Sequence, residues 1–149
     1  MRAVVQRVKS AAVEVDGRCI AQTGAGFLVL VCVMAGDTQE DLAYIAGKLV
    51  RLRVFEDENG KMNLDIRQTG GQMLIVSQFT LAGDARHGNR PGFSASAAPQ
   101  QAQQMYLALC DAVAQQGVTV ERGQFGADMQ IQMLGDGPVT ILLDSARLF

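Results

Sequence analysis

The chain has 149 residues, of which 48% are hydrophobic and 19% charged, with a formal net charge of −2. That balance suits one globular domain and excludes both a disordered chain and a broadly basic nucleic-acid coat, while leaving room for a local basic patch. Trp is absent and aromatics make up 5%, so the core has to be built from Val, Leu, Ile, Ala and Met.

The first residues alternate. Ala3, Val5 and Arg7 interleave with Val4, Gln6 and Val8, and Val13 and Val15 with Glu14 and Asp16. This period of two reads as strand. Asp16-Gly17 reads as a hairpin turn, because both residues tolerate positive φ. Residues 27–34 form a continuous apolar run, read as a strand buried on both faces. Asp37 or Thr38, followed by Glu40 or Asp41, supplies a capping box for a helix. Leu42, Ile45, Leu49 and Leu52 then recur at helical spacing. Lys48, Arg51 and Arg53 fall near its C-terminal end, where cations suit the helix dipole.

Residues 73–76 read as a second buried strand running into Ser77-Gln78-Phe79-Thr80. Residues 82–98 are polar and rich in Gly and Ser, which reads as a long loop of functional kind. Pro99 starts a second helix at its first position and Gly117 ends it. Val118 and Val120 alternate, as do Met129, Ile131 and Met133. Gly135-Asp136-Gly137 reads as a turn into Pro138 and a last strand over 139–143. The whole predicts an α+β domain over residues 1–149, mostly antiparallel, with two main helices.

The longest apolar run, residues 25–35 with Gly26 inside it, is too short to span a bilayer. Met1-Arg2 leads straight into alternating sequence, so no signal peptide is expected. Cys19, Cys32 and Cys110 form no CxxC pair, which suits free thiols in a reducing cytoplasm rather than a zinc site.

Most catalytic kits are missing. The sequence has no P-loop, no GxSxG and no HExxH. His87 is the only histidine and reads as a solvated loop side chain. The acidic residues are explained by caps and turns. Lys48, Arg51 and Arg53, with Lys61 and Arg67 nearby, form one basic cluster, and Arg86, His87 and Arg90 another. Either suits a few phosphate contacts. Two segments resist a structural reading. Ser77-Gln78-Phe79-Thr80 breaks a buried strand with polar groups that need partners. Gly137-Pro138 is an X-Pro bond with an unobstructed neighbour, suited to presenting bare backbone.

Ser77-Gln78-Phe79-Thr80-Leu81 together with Gly137-Pro138-Val139-Thr140 resembles the D-aminoacyl-tRNA deacylase family. The likeness extends to Met1-Arg2-Ala3-Val4-Val5-Gln6-Arg7-Val8, Gly60-Lys61-Met62-Asn63, Arg90-Pro91 with Phe93-Ser94, and Phe125-Gly126-Ala127-Asp128-Met129-Gln130. It implies a β-barrel-like homodimer in the cytoplasm that hydrolyses the ester of D-aminoacyl-tRNA. It also implies removal of glycine from wrongly charged tRNA, with no cofactor, metal, membrane or DNA partner.

By the resemblance, Ser77, Gln78, Phe79 and Thr80 form the catalytic segment, acting through backbone N–H groups, with the ribose 2′-hydroxyl of the substrate assisting water. Thr80 has a nucleophile's chemistry but no identifiable base. Gly137 and Pro138, joined by a cis bond and reaching into a neighbouring subunit, are implied as a filter against L side chains. Arg7 is implied as their brace. Phe125 and Met129 are implied as contacts for the terminal adenine at the tRNA acceptor end. Met129 also reads as core, from its alternation with Ile131 and Met133. Gly135, Gly92 and His87 depart from the family pattern, which usually has Asn, Ser and Lys there. Two other readings stay open: a related deacylase that edits another mischarged tRNA, and a non-catalytic dimeric RNA-binding module.

Overall fold

The computed structural model describes residues 1–148. Its first strand, β1 (Arg2–Val15), runs 14 residues without a break. β2 (Arg18–Thr23) returns antiparallel across a two-residue turn. In that turn Asp16 and Gly17 have φ of 51° and 72°, the mirror-image turn geometry that matches strand twist. β3 (Gly26–Cys32) then continues along the same edge of β1.

The capping box forms as Thr38 with Asp41. The Asp41 carboxylate accepts the Thr38 N–H at 2.8 Å, and Thr38 Oγ1 accepts the Glu40 N–H at 3.3 Å. It opens α1 (Gln39–Arg51), which buries Leu42, Ile45 and Leu49. Each of these burials stabilises the fold by about 1.5–3 kcal/mol. A short hairpin, β4 (Phe55–Glu56) with β5 (Met62–Leu64), leads to β6 (Gln72–Ser77). Pro99 opens α2 (Pro99–Ala114), followed by β7 (Thr119–Arg122) and β8 (Gln130–Asp144).

The sheet is mixed: most strand pairings are antiparallel, as expected, but two are parallel, which the residue pattern does not specify. β3, β6 and β7 lie side by side in parallel, while β1 pairs antiparallel with β2, β3 and β8. Parallel neighbours need a crossover. α1 lies in the first crossover and α2 in the second. The unbroken apolar runs follow from this. Phe27, Val29, Val31, Met73 and Ile75 join α1 and α2 in one buried cluster, whereas Leu28, Leu74 and Val76 join Val8, Ala11 and Val13 in a second on the other face. The sheet curls around that second cluster into a nearly closed barrel, and at its seam Thr23 Oγ1 donates to Gln72 Oε1 at 3.2 Å.

A correction concerns the C-terminal strands. Gly135-Asp136-Gly137 is not a turn between two strands. β8 is one strand of 15 residues paired with β1 along its length. Val8 pairs with Gly135 and Gln6 with Thr140, so residues 136–139 all bulge out opposite Arg7. Cys32 and Cys110 are buried and free, and Cys19 is exposed and free. Among the described residues no helix is long and apolar enough to cross a membrane.

Candidate functional site

Ligands of parallel sheets bind outside the carboxyl ends of the strands. β3, β6 and β7 end together at Cys32, Ser77 and Arg122. There an open cleft of about 730 Å³ is lined by Ser77, Gln78 and Phe79 on one side and by Phe125, Met129 and Ile131 on another. Phe93 and the start of α2, from Ala98 to Ala102, close the rest. Phe79 is 55% exposed and meets the Phe93 ring edge-on, with centroids 5.2 Å apart. Phe125 leans on Tyr106, whose hydroxyl donates to the Ile75 carbonyl at 2.8 Å.

The segment after β6 turns immediately. Gln78 leaves the strand with its N–H on the Val31 carbonyl at 2.7 Å, and Phe79–Ala82 forms one 3₁₀ turn. Every carbonyl from residue 78 to 81 has a donor. The Gln78 carbonyl accepts the Leu81 N–H at 3.2 Å, and that of Thr80 accepts the Gly83 N–H at 2.9 Å. The Phe79 carbonyl accepts the Cys32 thiol at 3.5 Å, and that of Leu81 accepts Arg2 Nη1 at 3.1 Å. The N–H groups of Phe79 and Thr80 have no partner among the described residues, as the first donors of a helical turn do not. Phe79 lines the cleft and Thr80 follows it directly in the chain; two adjacent free backbone donors at a cleft's margin suit an oxyanion.

Side-chain chemistry is scarce by comparison. Thr80 is exposed, does not line the cleft, and its Oγ1 accepts a hydrogen bond from the Gln78 amide. An amide cannot take its proton, so nothing activates this hydroxyl as a nucleophile. The titratable side chains lining the cleft are Cys32 and Asp128. Burial pushes the Cys32 thiol up, so it stays protonated and acts as a donor. Among the described residues no group of three His, Cys, Asp or Glu could hold a metal ion.

Five of the expected site residues therefore meet at one cleft: Ser77, Gln78, Phe79, Phe125 and Met129. Met129 serves in both of its readings, since it lines the cleft and packs against the second core cluster. Cys32, Phe93 and Ser96 also line the cleft; Phe93 and Ser96 lie in the loop that reads as functional, though neither is singled out by sequence as a site residue, and Cys32 reads only as a buried thiol. They sit on a strand end and a loop that only the crossover brings to the cleft.

Arg7, Gly137 and Pro138 lie elsewhere. The Gly137–Pro138 bond is cis, and Gly137 has φ of 130°. Arg7 is 7% exposed. Its Nε donates to the Asp136 carbonyl at 3.2 Å and its Nη1 to the Val54 carbonyl at 2.5 Å. Arg7 is level with Phe27 at the start of β3, whereas the cleft lies at Cys32. Five strand steps separate them, about 16 Å. The bulge and the cleft therefore occupy opposite ends of the same sheet.

Several of the basic groups are already engaged within the chain. Arg86 is held by the Asp84 carboxylate at 2.6 and 2.9 Å, and its hydrogen bonds hold that carboxyl well below the usual range. Arg122 pairs with Asp111 and Arg53 with Asn63. Lys48 lies over the Tyr44 ring. His87 is exposed, as expected.

A family model described as D-Tyr-tRNA(Tyr) deacylase matches residues 4–144. The chain is 55% identical over 149 residues to the D-aminoacyl-tRNA deacylase of Anaeromyxobacter dehalogenans, covering 100% of both chains. It is 54% identical over 144 residues to that of Ruegeria pomeroyi, covering 97% of this chain and 99% of the other. Among solved structures, one described as c-Myc DNA Unwinding Element Binding Protein superposes with a TM-score of 0.92 at 39% identity, covering 97% of this chain and 98% of that one. A probable eukaryotic D-amino acid tRNA deacylase superposes with a TM-score of 0.81 at 19% identity, covering 95% and 97%, a likeness of fold.

Proposed function

The chain belongs to the D-Tyr-tRNA(Tyr) deacylase family, whose members hydrolyse the aminoacyl-tRNA ester bond, and from that premise we propose that it hydrolyses D-aminoacyl-tRNA by backbone chemistry. The observation that carries the mechanism is the pair of free N–H groups at Phe79 and Thr80 beside a cleft without an acid–base pair. Water attacks the ester carbonyl carbon, the two amides stabilise the negative charge that develops on its oxygen, and the bond to the ribose 3′ oxygen breaks. The proton passes to that departing oxygen. The neighbouring 2′-hydroxyl of the substrate assists, because it stands beside the reacting ester, whereas the cleft holds, among the described residues, no histidine and, in Asp128, a single carboxylate. Phe125 and Met129 offer a flat ring and a pliable thioether to the terminal adenine.

Selection against L side chains comes from the Gly137–Pro138 bulge of a second copy. Within one chain the bulge stands at the far end of the sheet from the cleft, so only another copy can bring the two together. A surface that favours pairing accompanies it. β8 leaves Met133, Leu134 and Leu142 exposed at 45%, 58% and 54%. A main-chain filter rejects by shape near the α-carbon, so glycine attached to the wrong tRNA passes it and is also hydrolysed.

The partner is the acceptor end of tRNA. With Arg86 and Arg122 tied to carboxylates and a net charge of −2, binding rests on few phosphates and DNA competes poorly. The protein works in the cytoplasm without a metal or other cofactor.

The test is a paired hydrolysis assay on D-Tyr-tRNA and L-Tyr-tRNA with chelator-treated protein, against the spontaneous rates. Loss of the D-ester with the L-ester spared supports the proposal. Loss of both indicates an editing relative with an open pocket. Loss of neither indicates a fold retained for RNA binding alone.

A further inference from the structure

The 3₁₀ turn that frees the Phe79 and Thr80 amides is anchored from outside its own segment. Arg2 Nη1 donates to the Leu81 carbonyl at 3.1 Å, and Leu81 in turn donates its N–H to the Gln78 carbonyl at 3.2 Å. That second bond closes the loop of chain containing the two free donors. The guanidinium is itself fixed. Its Nε donates to Asp144 Oδ2 at 3.0 Å, and the Asp144 side chain is 3% exposed against 29% for Arg2. Asp144 Oδ1 is occupied by the Ala146 N–H at 2.7 Å, so the carboxylate cannot swing away. Arg2 and Asp144 are register partners of β1 and β8, so two strands of the sheet set the position of one guanidinium.

From this geometry we infer that Arg2, oriented by Asp144, is a positioning residue for hydrolysis. It sets the direction of the Phe79 and Thr80 N–H groups by holding the carbonyl at the far end of their turn. The inference rests on the reading of those amides as the oxyanion donors. A planar fork suits the task, because one face of the guanidinium engages the carboxylate while another nitrogen reaches the carbonyl. A flexible ammonium cannot hold both in a fixed relation. Misdirecting donors by a fraction of an ångström acts on the transition state, where charge is concentrated, and much less on ground-state binding.

The experiment compares the wild-type protein with Arg2→Met and Asp144→Asn. Steady-state hydrolysis of D-Tyr-tRNA is measured together with amide ¹H–¹⁵N shifts of the free protein and its melting temperature. The expected result is a kcat reduced by about tenfold in both variants, with KM within about twofold. The amide signals of Phe79 and Thr80 move, and the loss of kcat is present well below the melting temperature of each variant, where both are folded. In Arg2→Ala, millimolar methylguanidinium restores part of the lost kcat, because Arg2 is partly open to solvent.

An active wild type with an unchanged kcat and unmoved amide signals in Arg2→Met overturns the inference and leaves the oxyanion reading standing. A loss of kcat that only follows lost folding, without guanidinium rescue, also overturns it. A wild type that fails to hydrolyse the D-ester overturns both.

Discussion

Arg7 and Asp136 meet twice across the sheet. Arg7 Nε lies 3.2 Å from the Asp136 backbone carbonyl, to which it donates, and 3.2 Å from the side-chain carboxylate. The same guanidinium holds the buried Val54 carbonyl, so one side chain ties the bulge of β8 to the segment that follows α1. Arg7→Ala leaves two carbonyls without donors, at about 1–3 kcal/mol each where they are cut off from water. We expect urea unfolding to show a loss of about 2–4 kcal/mol. The ratio of D- to L-ester hydrolysis should fall by about tenfold as the bulge loosens. A variant with wild-type discrimination would remove Arg7 from the filter.

The two donors of the 3₁₀ turn are separable from the side chains that carry them. Thr80→Val deletes the hydroxyl, which has no base, and should leave kcat within about threefold of wild type. Phe79→Pro deletes an N–H at the first position of a helical turn, where proline's φ is acceptable. Gln78 before it is already outside the helical region, with φ of −143° and ψ of 82°. Against Phe79→Ala as the control for the lost ring, Phe79→Pro should lower kcat by about 10²–10³-fold. Equal rates for the two would exclude the Phe79 amide as an oxyanion donor.

Gly26 stands where β3 begins beside β6. A Cβ placed there would lie 1.9 Å from the Gln72 carbonyl oxygen, and φ is +150°. Gly26→Ala therefore faces a backbone clash and a strained dihedral together. We expect a loss of about 3 kcal/mol or more, read from the urea midpoint or from failure to accumulate as folded protein. A midpoint equal to wild type would show that the two parallel strands can separate at no cost.

The α1 cap carries a pH signature. The hydrogen bond from the Thr38 backbone, with further bonds from Ser145 and Thr38 side chains, lowers the Asp41 carboxyl from 3.8 to about 2. A carboxyl lowered on folding contributes stability above its unfolded pKa, and loses it as pH falls through the folded value. Asp41→Asn should thus be less stable than wild type at pH 7, by about 0.5 kcal/mol because the site is exposed and screened. The gap should close as pH falls from about 4 to 2. A gap that persists at the acid end would assign the effect to packing instead of charge.

How far the sequence carried can be followed through these elements. α1 was legible because Thr38, Asp41, Leu42, Ile45 and Leu49 state cap and face together. The β1–β2 turn was legible because Asp16-Gly17 admits few other conformations. The direction of β6 relative to β3 was not. Residues 27–34 and 73–76 are apolar on both faces whichever way they pair, and the choice is made by α1 crossing between them. The bulge was misread for a related reason. Gly135, Asp136 and Gly137 have turn composition, but the strand pairing with β1 on both sides of them, at Gly135 and Thr140, overrides it. Residues 77–79 stood out because polar groups break a buried strand there, but their role, and the placing of 125 and 129, came from family resemblance, since backbone donors leave no mark in residue types. Cys32 had no such signal and looked like core.

The turn at Phe79 and Thr80 also bears on how this protein would look to a mutational survey. Truncating either side chain to alanine keeps the amide and its hydrogen. A scan of that kind would pass over the turn, and its strongest effects would fall on Arg2, Arg7 and Gly26, which support the architecture. Replacing the amide itself, by proline or by a backbone ester, is the perturbation to which such a site responds.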